Sequence, residues 1–269
     1  MICEAYVHGV STRKVDDLVT AMGGLAGVSK SEVSRICAGL DAEVAAFTTR
    51  PLVAELPYVF ADATYCKVRV NGRVVSQAVV VATGVSGDGR REVLGHAVGD
   101  SETEQFWAEF LRGLRDRGLT GVQLVISDAH RGLTAAITQV VQGAAWQRCR
   151  VHFMRNVLAK VGKGDAEMVA AAVRTVFAQP TATAVRDQLD QVAATLTDRF
   201  PVLAGTLHAA KTDVTAFADF PEAHWRKIWS TNPPGTAEQG DQTAHRRRWD
   251  LSQSSCPAPV VRGGAARSP

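Results

Sequence analysis

At 269 residues, with 46% hydrophobic residues and a mean hydropathy of −0.03, the chain can bury a substantial core and has the composition of a soluble globular protein. Its net charge of +3 permits a nucleic-acid partner without requiring one. No run approaches the roughly 18 apolar residues of a membrane span, the N-terminus lacks a signal-peptide pattern, and the scattered cysteines Cys3, Cys37, Cys66, Cys149 and Cys256 fit a reducing cytosol rather than a disulfide scaffold.

Residues 5–47 read as helices. Ser11 opens a stretch with apolar residues at helical spacing, Gly23, Gly24 and Gly27 make a turn, and Ser29 with Glu32 three residues on caps a second, short helix. Helix, glycine turn and a basic short helix form a helix-turn-helix pattern, and an ordinary helical hairpin reads equally well. Residues 1–50 are taken as this segment, with Lys30 and Arg35 as candidate DNA contacts.

From residue 57 the pattern changes to strands. Tyr58–Val70, Val74–Val85 and Glu92–Val98 are rich in β-formers and are separated by Asn71-Gly72 and by Gly87-Asp88-Gly89, both hairpin turns. Ser101 is placed to cap a helix over Thr103–Arg117, Val122–Ser127 forms a strand ending at Asp128, Gly132–Val141 a helix, and Ala145–Val151 a fifth strand. The order βββ-α-β-α-β predicts an α/β fold with a ribonuclease H-like core over residues 57–156. An all-α insertion follows over 157–222 and a return to the core over 223–233. In such a fold the first and fourth strands are neighbours, so carboxylates on them converge despite a 66-residue gap. From Pro234 to Pro269 neither helical nor strand periodicity survives, and composition predicts disorder.

Asp62 and Asp128 each end a strand-like apolar run. A carboxylate there is costly to desolvate unless something cationic pairs with it, and two in an α/β setting point to a divalent metal. Taken singly, Asp62 also reads as a turn aspartate and Asp128 as an N-cap. Lys67 and Arg69, beyond Asp62 on the same strand, are candidate phosphate contacts. Arg148, Arg150 and Arg155 interleave with Trp146 and Phe153 and suit a DNA backbone. Cys149-x-x-His152 is half of a zinc set and lacks the partner a nucleophilic pair needs. A buried thiol with a hydrogen-bonded histidine is the preferred reading. Glu102 and Glu104 read as helix-start acids, with a metal-ligand role as the minor alternative.

Together, Asp62 in Phe-Ala-Asp-Ala-Thr-Tyr, Asp128 in Ile-Ser-Asp-Ala-His-Arg-Gly-Leu and Cys149-x-x-His152 resemble the Mutator-type transposases of bacterial insertion sequences, over about Ala5 to Pro233. The resemblance implies an Asp-Asp-Glu triad binding two Mg²⁺ ions, with Mn²⁺ as a substitute. One ion would activate the attacking water or 3′-hydroxyl and the other would stabilise the leaving oxygen. Asp62 and Asp128 match the first two members, and Cys149 and His152 match a family signature. Implied partners are terminal inverted repeats, target DNA and further copies of the chain, in a bacterial cytoplasm at the nucleoid, with no membrane.

Two departures matter. Relatives carry more helical sequence before the region that starts here at Met1. After the equivalent of Ser230-Thr-Asn-Pro233 they continue with a helix Leu-Glu-Arg-Leu-Asn-Lys-Glu-Ile-Lys-Arg-Arg, which holds the third carboxylate. Here the chain reads Pro234-Gly-Thr-Ala-Glu-Gln-Gly-Asp-Gln-Thr. Written as CCT GGA ACG GCT GAA CAA GGA GAT CAA ACG and shifted by one base, this becomes CTG GAA CGG CTG AAC AAG GAG ATC AAA, or Leu-Glu-Arg-Leu-Asn-Lys-Glu-Ile-Lys. Pro234–Pro269 therefore reads as a frameshifted tail and Glu238 as a coincidence of the shifted frame. The expected function is metal-dependent strand cleavage and transfer at the ends of an insertion sequence, impaired by loss of the third carboxylate. The alternatives are an inactive DNA-binding remnant and a ribonuclease H-type nuclease, which the Cys-x-x-His signature and the helical insertion do not fit.

Overall fold

The computed structural model describes residues 30–70 and 73–231. The first helix and glycine turn of the expected helix-turn-helix, the Asn71-Gly72 turn and the chain from Asn232 onward lie outside them. What is described of the N-terminal segment is one helix, α1 (Lys30–Thr49), of 20 residues. It is longer than the short basic helix read from the sequence.

β1 (Tyr58–Val70), β2 (Arg73–Val85) and β3 (Arg91–Gly99) form an antiparallel meander, and β4 (Leu124–Ser127) and β5 (Ala145–Arg148) add in parallel on the other side of β1. The sheet order is β3-β2-β1-β4-β5, which puts β1 at the centre. Each pattern has a physical reason. From Ala78 onward β2 buries alternate residues, as a strand with unlike faces must. All four residues of β4 are buried, as in a parallel strand covered on both sides. A register shift at Ala82/Thr83 bends β2 against β3.

The helix boundaries correct the sequence reading in three places. Helix α2 (Glu104–Asp116) is capped by Thr103, not Ser101: Thr103 is extended and its hydroxyl accepts the Phe106 amide at 3.2 Å. Helix α3 (Arg131–Val140) follows His130 at the cap position, so Asp128 is not its N-cap. β5 stops at Arg148, because β4 ends at its partner Ser127 and offers no further ladder. The chain turns at Cys149, and α4 (Arg150–Leu158) starts within the span read as the fifth strand.

The two sheet faces carry separate cores. Val59, Ala61, Val80, Ala82 and Val125 pack beneath α2 and α3, with Trp107 and Leu111 at the centre. Tyr58, Phe60, Leu124 and Ile126 face the other way, against α4, α5 (Ala166–Val176), α6 (Ala182–Thr197), α7 (Pro201–Val214) and α8 (Glu222–Ile228). Phe217, in a 3₁₀ turn over Ala216–Asp219, stacks on Phe177 and meets Trp225 and Trp229 edge to face. Buried Gln147 on β5 joins the layers: its amide donates to the Val214 carbonyl at 3.0 Å, and its carbonyl accepts the Phe217 amide at 2.7 Å. The helices after residue 158 thus share one continuous core with the sheet.

Candidate active site

β1 and β4 run side by side with Tyr58 opposite Leu124, Val59 opposite Val125 and Phe60 opposite Ile126. That offset of 66 positions is also the one separating Asp62 from Asp128, so continuing the register by two residues sets the two carboxylates level at one edge of the sheet. Both line a cavity of about 90 Å³. Glu102, Trp107, His130 and His152 share its walls.

Asp128 is held by its own turn. Its carboxylate accepts the Ala129 amide at 2.7 Å, and its carbonyl accepts the Ser127 hydroxyl at 2.9 Å. Ser127 in turn accepts the Trp146 indole N–H at 2.8 Å. Asp62 is exposed as a residue, but its carboxyl end is crowded. Desolvation raises its pKa above the ordinary 3.8, and the charges of Asp128 and Glu102 push the same way against His152 and the Ala63 amide. Glu102 arrives through a backbone contact. A Cβ at Gly132, in the first turn of α3, would lie 2.8 Å from the Glu102 carbonyl oxygen and 2.8 Å from the Glu104 nitrogen. Glycine there lets the segment before α2 lie against the Asp128 turn.

Three polar atoms on this cavity are buried without a hydrogen-bond partner among the described residues: Trp107 Nε1, His130 Nδ1 and His152 Nδ1. The Trp107 indole is a donor and each histidine nitrogen donates or accepts by tautomer, so with two converging carboxylates the enclosure suits a polar or charged occupant. Among the described residues no three Asp, Glu, His or Cys side chains are arranged to hold a metal by themselves.

Cys149 is fully buried at the cap of α4. Its sulfur lies 3.5 Å from the Ser230 hydroxyl and 3.4 Å from both the Thr231 hydroxyl and the Thr231 amide. Burial works against ionisation of this thiol. The His152 side chain and amide, Thr231 and Ser230 beside the sulfur outweigh it and bring the pKa from 9.0 to about 6. His152 is raised above the ordinary 6.5 by hydrogen bonding to Cys149, with the charges of Cys149, Asp128 and Asp62 in support and burial opposing.

The basic candidates are spread more widely. Lys67 is exposed on β1 opposite Ser76, about 17 Å along the strand from Asp62 at 3.3–3.4 Å per residue. Arg69 lies on β1, while its side chain and that of Lys30 are outside the described residues. Arg35 is exposed on α1 and Arg155 on α4. Arg148 is half-buried with its guanidinium 5.1 Å from the Phe153 ring. Desolvation lowers its pKa, and Asp128 and Asp213 oppose that. Arg150 sits 4.3 Å over Trp229 and 5.4 Å over Phe177, inside the helical layer. Of the other cavity residues, Glu102 had been read chiefly as a helix-start acid, with a metal-ligand role as the minor alternative, and His130, two residues beyond Asp128, was not singled out.

A family model described as "Transposase, Mutator family" matches residues 1–248. The transposase for insertion sequence element IS1081 of Mycobacterium tuberculosis is 46% identical over 235 residues, 87% of this chain. The chain belongs to the Mutator family of transposases. Another family relative, the transposase for insertion sequence element IS406 of Burkholderia multivorans, is 40% identical over 86% of the chain. This Mutator-family chain spans 56% of the IS1081 protein and 60% of the IS406 protein, little more than half the length of the relatives it matches. A solved Drosophila P element transposase strand transfer complex aligns with 59% of the chain and 42% of its own, at 14% identity and a TM-score of 0.36, too slight a likeness to bear on the fold. Among the described residues no helix is long and apolar enough to cross a membrane.

Proposed function

We propose that the chain is part of a transposase that cuts and joins DNA at the ends of an insertion sequence, with Asp62 and Asp128 as catalytic residues on a ribonuclease H-like core. One observation carries this: in a Mutator-family chain, a carboxylate on β1 and another just past the end of its parallel neighbour β4 line one cavity. Five strands in the order 3-2-1-4-5, the first three antiparallel and the last two parallel, support that core. The residues fit a divalent cation in part. Asp62 and Asp128 supply hard oxygen donors, and the Asp62 pKa is raised by burial of its carboxyl first, with the charges of Asp128 and Glu102 adding to it. Mg²⁺ held there, or Mn²⁺ in its place, would polarise a phosphodiester and the attacking hydroxyl or water.

The protein's own part is orientation. β1 and β4 fix the two carboxylates on rigid strands, the Ala129 amide pins Asp128, and Gly132 lets Glu102 approach the same cavity. The third carboxylate of the family pattern is proposed to be missing. The shifted frame places glutamates at the second and seventh residues of the restored helix, four and nine positions beyond Thr231. That reading rests on the codons, because the family match itself runs on to residue 248. The proposed partners are terminal-repeat DNA, target DNA and further copies of the chain in a bacterial cytoplasm. Binding without cutting, as a DNA-binding remnant, is the second reading, and it gains from the same lost carboxylate.

Calorimetric titration of Mg²⁺ into the chain tests the site without requiring activity. Binding is expected to be weak in the wild type and abolished in Asp62→Asn and Asp128→Asn. Equal binding by all three proteins would remove the proposed site.

A further inference from the structure

The Cys149-x-x-His152 pair lies outside the proposed chemistry, yet it occupies the junction of three chain segments. The Cys149 amide donates to the Ser127 carbonyl at 2.7 Å, directly before Asp128. The next amide, of Arg150, donates to the Trp229 carbonyl at 2.8 Å, and the Arg150 guanidinium lies on the Trp229 ring. The Cys149 sulfur takes the Thr231 amide and stands within hydrogen-bond reach of the Ser230 and Thr231 hydroxyls. Three residues along, His152 lines the carboxylate cavity. Ser230 is itself buried, so the strap over Trp229–Thr231 is laid into the protein and not draped across it.

We infer that Cys149 is a positioning residue, a clamp that fixes the Trp229–Thr231 strap against the end of β4, where the Asp128 turn begins. Sulfur suits this post. It is large enough to reach three polar groups on two successive residues, and it tolerates burial better than a hydroxyl without a full set of partners. Trp229 has holds of its own, in Arg150 and in the rings of Phe177 and Phe217, whereas the Thr231 amide is bonded to the Cys149 sulfur. That a looser strap slows cleavage rests on the proposed function; the clamp itself does not.

Hydrogen exchange read by mass spectrometry on the full chain tests it. In Cys149→Val, which keeps volume and removes the acceptor, the peptide over 229–231 is expected to exchange about tenfold faster or more, as for a segment released into local opening. Peptides from β1 and β4 should be unchanged. Cys149→Ser, whose oxygen still accepts, should recover most of the protection. If Cys149→Val misfolds, the double variant Ser230→Ala, Thr231→Val removes the same contacts from the strap side and should show the same release. Unchanged exchange over 229–231 in whichever variant folds overturns the clamp.

A second arm uses the chain with its frame restored by deletion of one base. There Cys149→Val should lower the cleavage rate of terminal-repeat DNA with DNA affinity unchanged, and Cys149→Ser should rescue it. Loss of affinity in step with rate would overturn the positioning role. A restored chain that cuts no DNA would sink the proposed function and leave the exchange result to decide the clamp.

Discussion

Asp62 shows how one residue couples stability to chemistry. Its pKa is raised in the folded chain, by desolvation first and by Asp128 and Glu102 next. Folding therefore gains most below the ordinary carboxylate value of 3.8 and loses that gain as pH rises through the raised value. At pH 7 the charged residue opposes folding. Asp62→Asn should unfold a degree or two higher, on the order of the shift small stability changes give, and the difference should vanish below about pH 4. Thermal unfolding at the two pH values measures this, and a lower midpoint at pH 7 would contradict it. Mg²⁺ should raise the midpoint of the wild type and not of the variant. Cys149 has the opposite sign: its pKa is brought down from 9.0 to about 6, so it contributes stability above pH 9 that is lost as pH falls through about 6. Thiolate absorbance in the far ultraviolet, taken as the difference from Cys149→Ser, should titrate near 6; a midpoint near 9 would contradict that environment. Asp62 and Asp128 were legible from sequence because each is a lone carboxylate in or just after an apolar strand run. The partners of Cys149 were not, because Ser230 and Thr231 lie 81 and 82 positions away and nothing local marks them.

At the scale of elements, strands were easier to read than helix ends. β-branched runs broken by glycine turns set β1, β2 and β3 to within a residue or two. Helix starts depend on which side chain reaches which amide. Ser101 was read as the cap of α2, and it is Thr103, two residues on, whose backbone is extended with its hydroxyl on the Phe106 amide. The approach of α3 to the start of α2 was hidden in Gly132, whose lack of a side chain is a tertiary matter. Gly132→Ala would press a methyl onto the Glu102–Glu104 backbone. It should cost about 1–3 kcal/mol, typical of overpacking, and should shift the Asp62 pKa by moving Glu102. Denaturant unfolding measures the first and carboxyl NMR titration the second; an unchanged stability would mean that the contact is slack.

At the scale of the whole molecule, the sheet and the helices after residue 158 share one hydrophobic interior. Phe217, Trp225 and Phe177 are packed in the same cluster as Tyr58, Phe60 and Ile126. Phe217→Ala should therefore destabilise the entire chain by about 3–5 kcal/mol, the range for a buried aromatic, in a single unfolding transition seen equally by probes of the sheet and of the helices. Two separated transitions would contradict one shared core. The sequence could not show this, because helical periodicity says which face is apolar and not what covers it.

The most direct measurement is metal-dependent cleavage of terminal-repeat DNA by four proteins: the chain as written, the chain with its frame restored by one deleted base, and the restored chain carrying Asp62→Asn or Asp128→Asn. The restored chain alone should cut, in Mg²⁺ and in Mn²⁺. Robust cutting by the chain as written, or by either asparagine variant, would contradict a two-carboxylate site that lost its third member to a shifted frame.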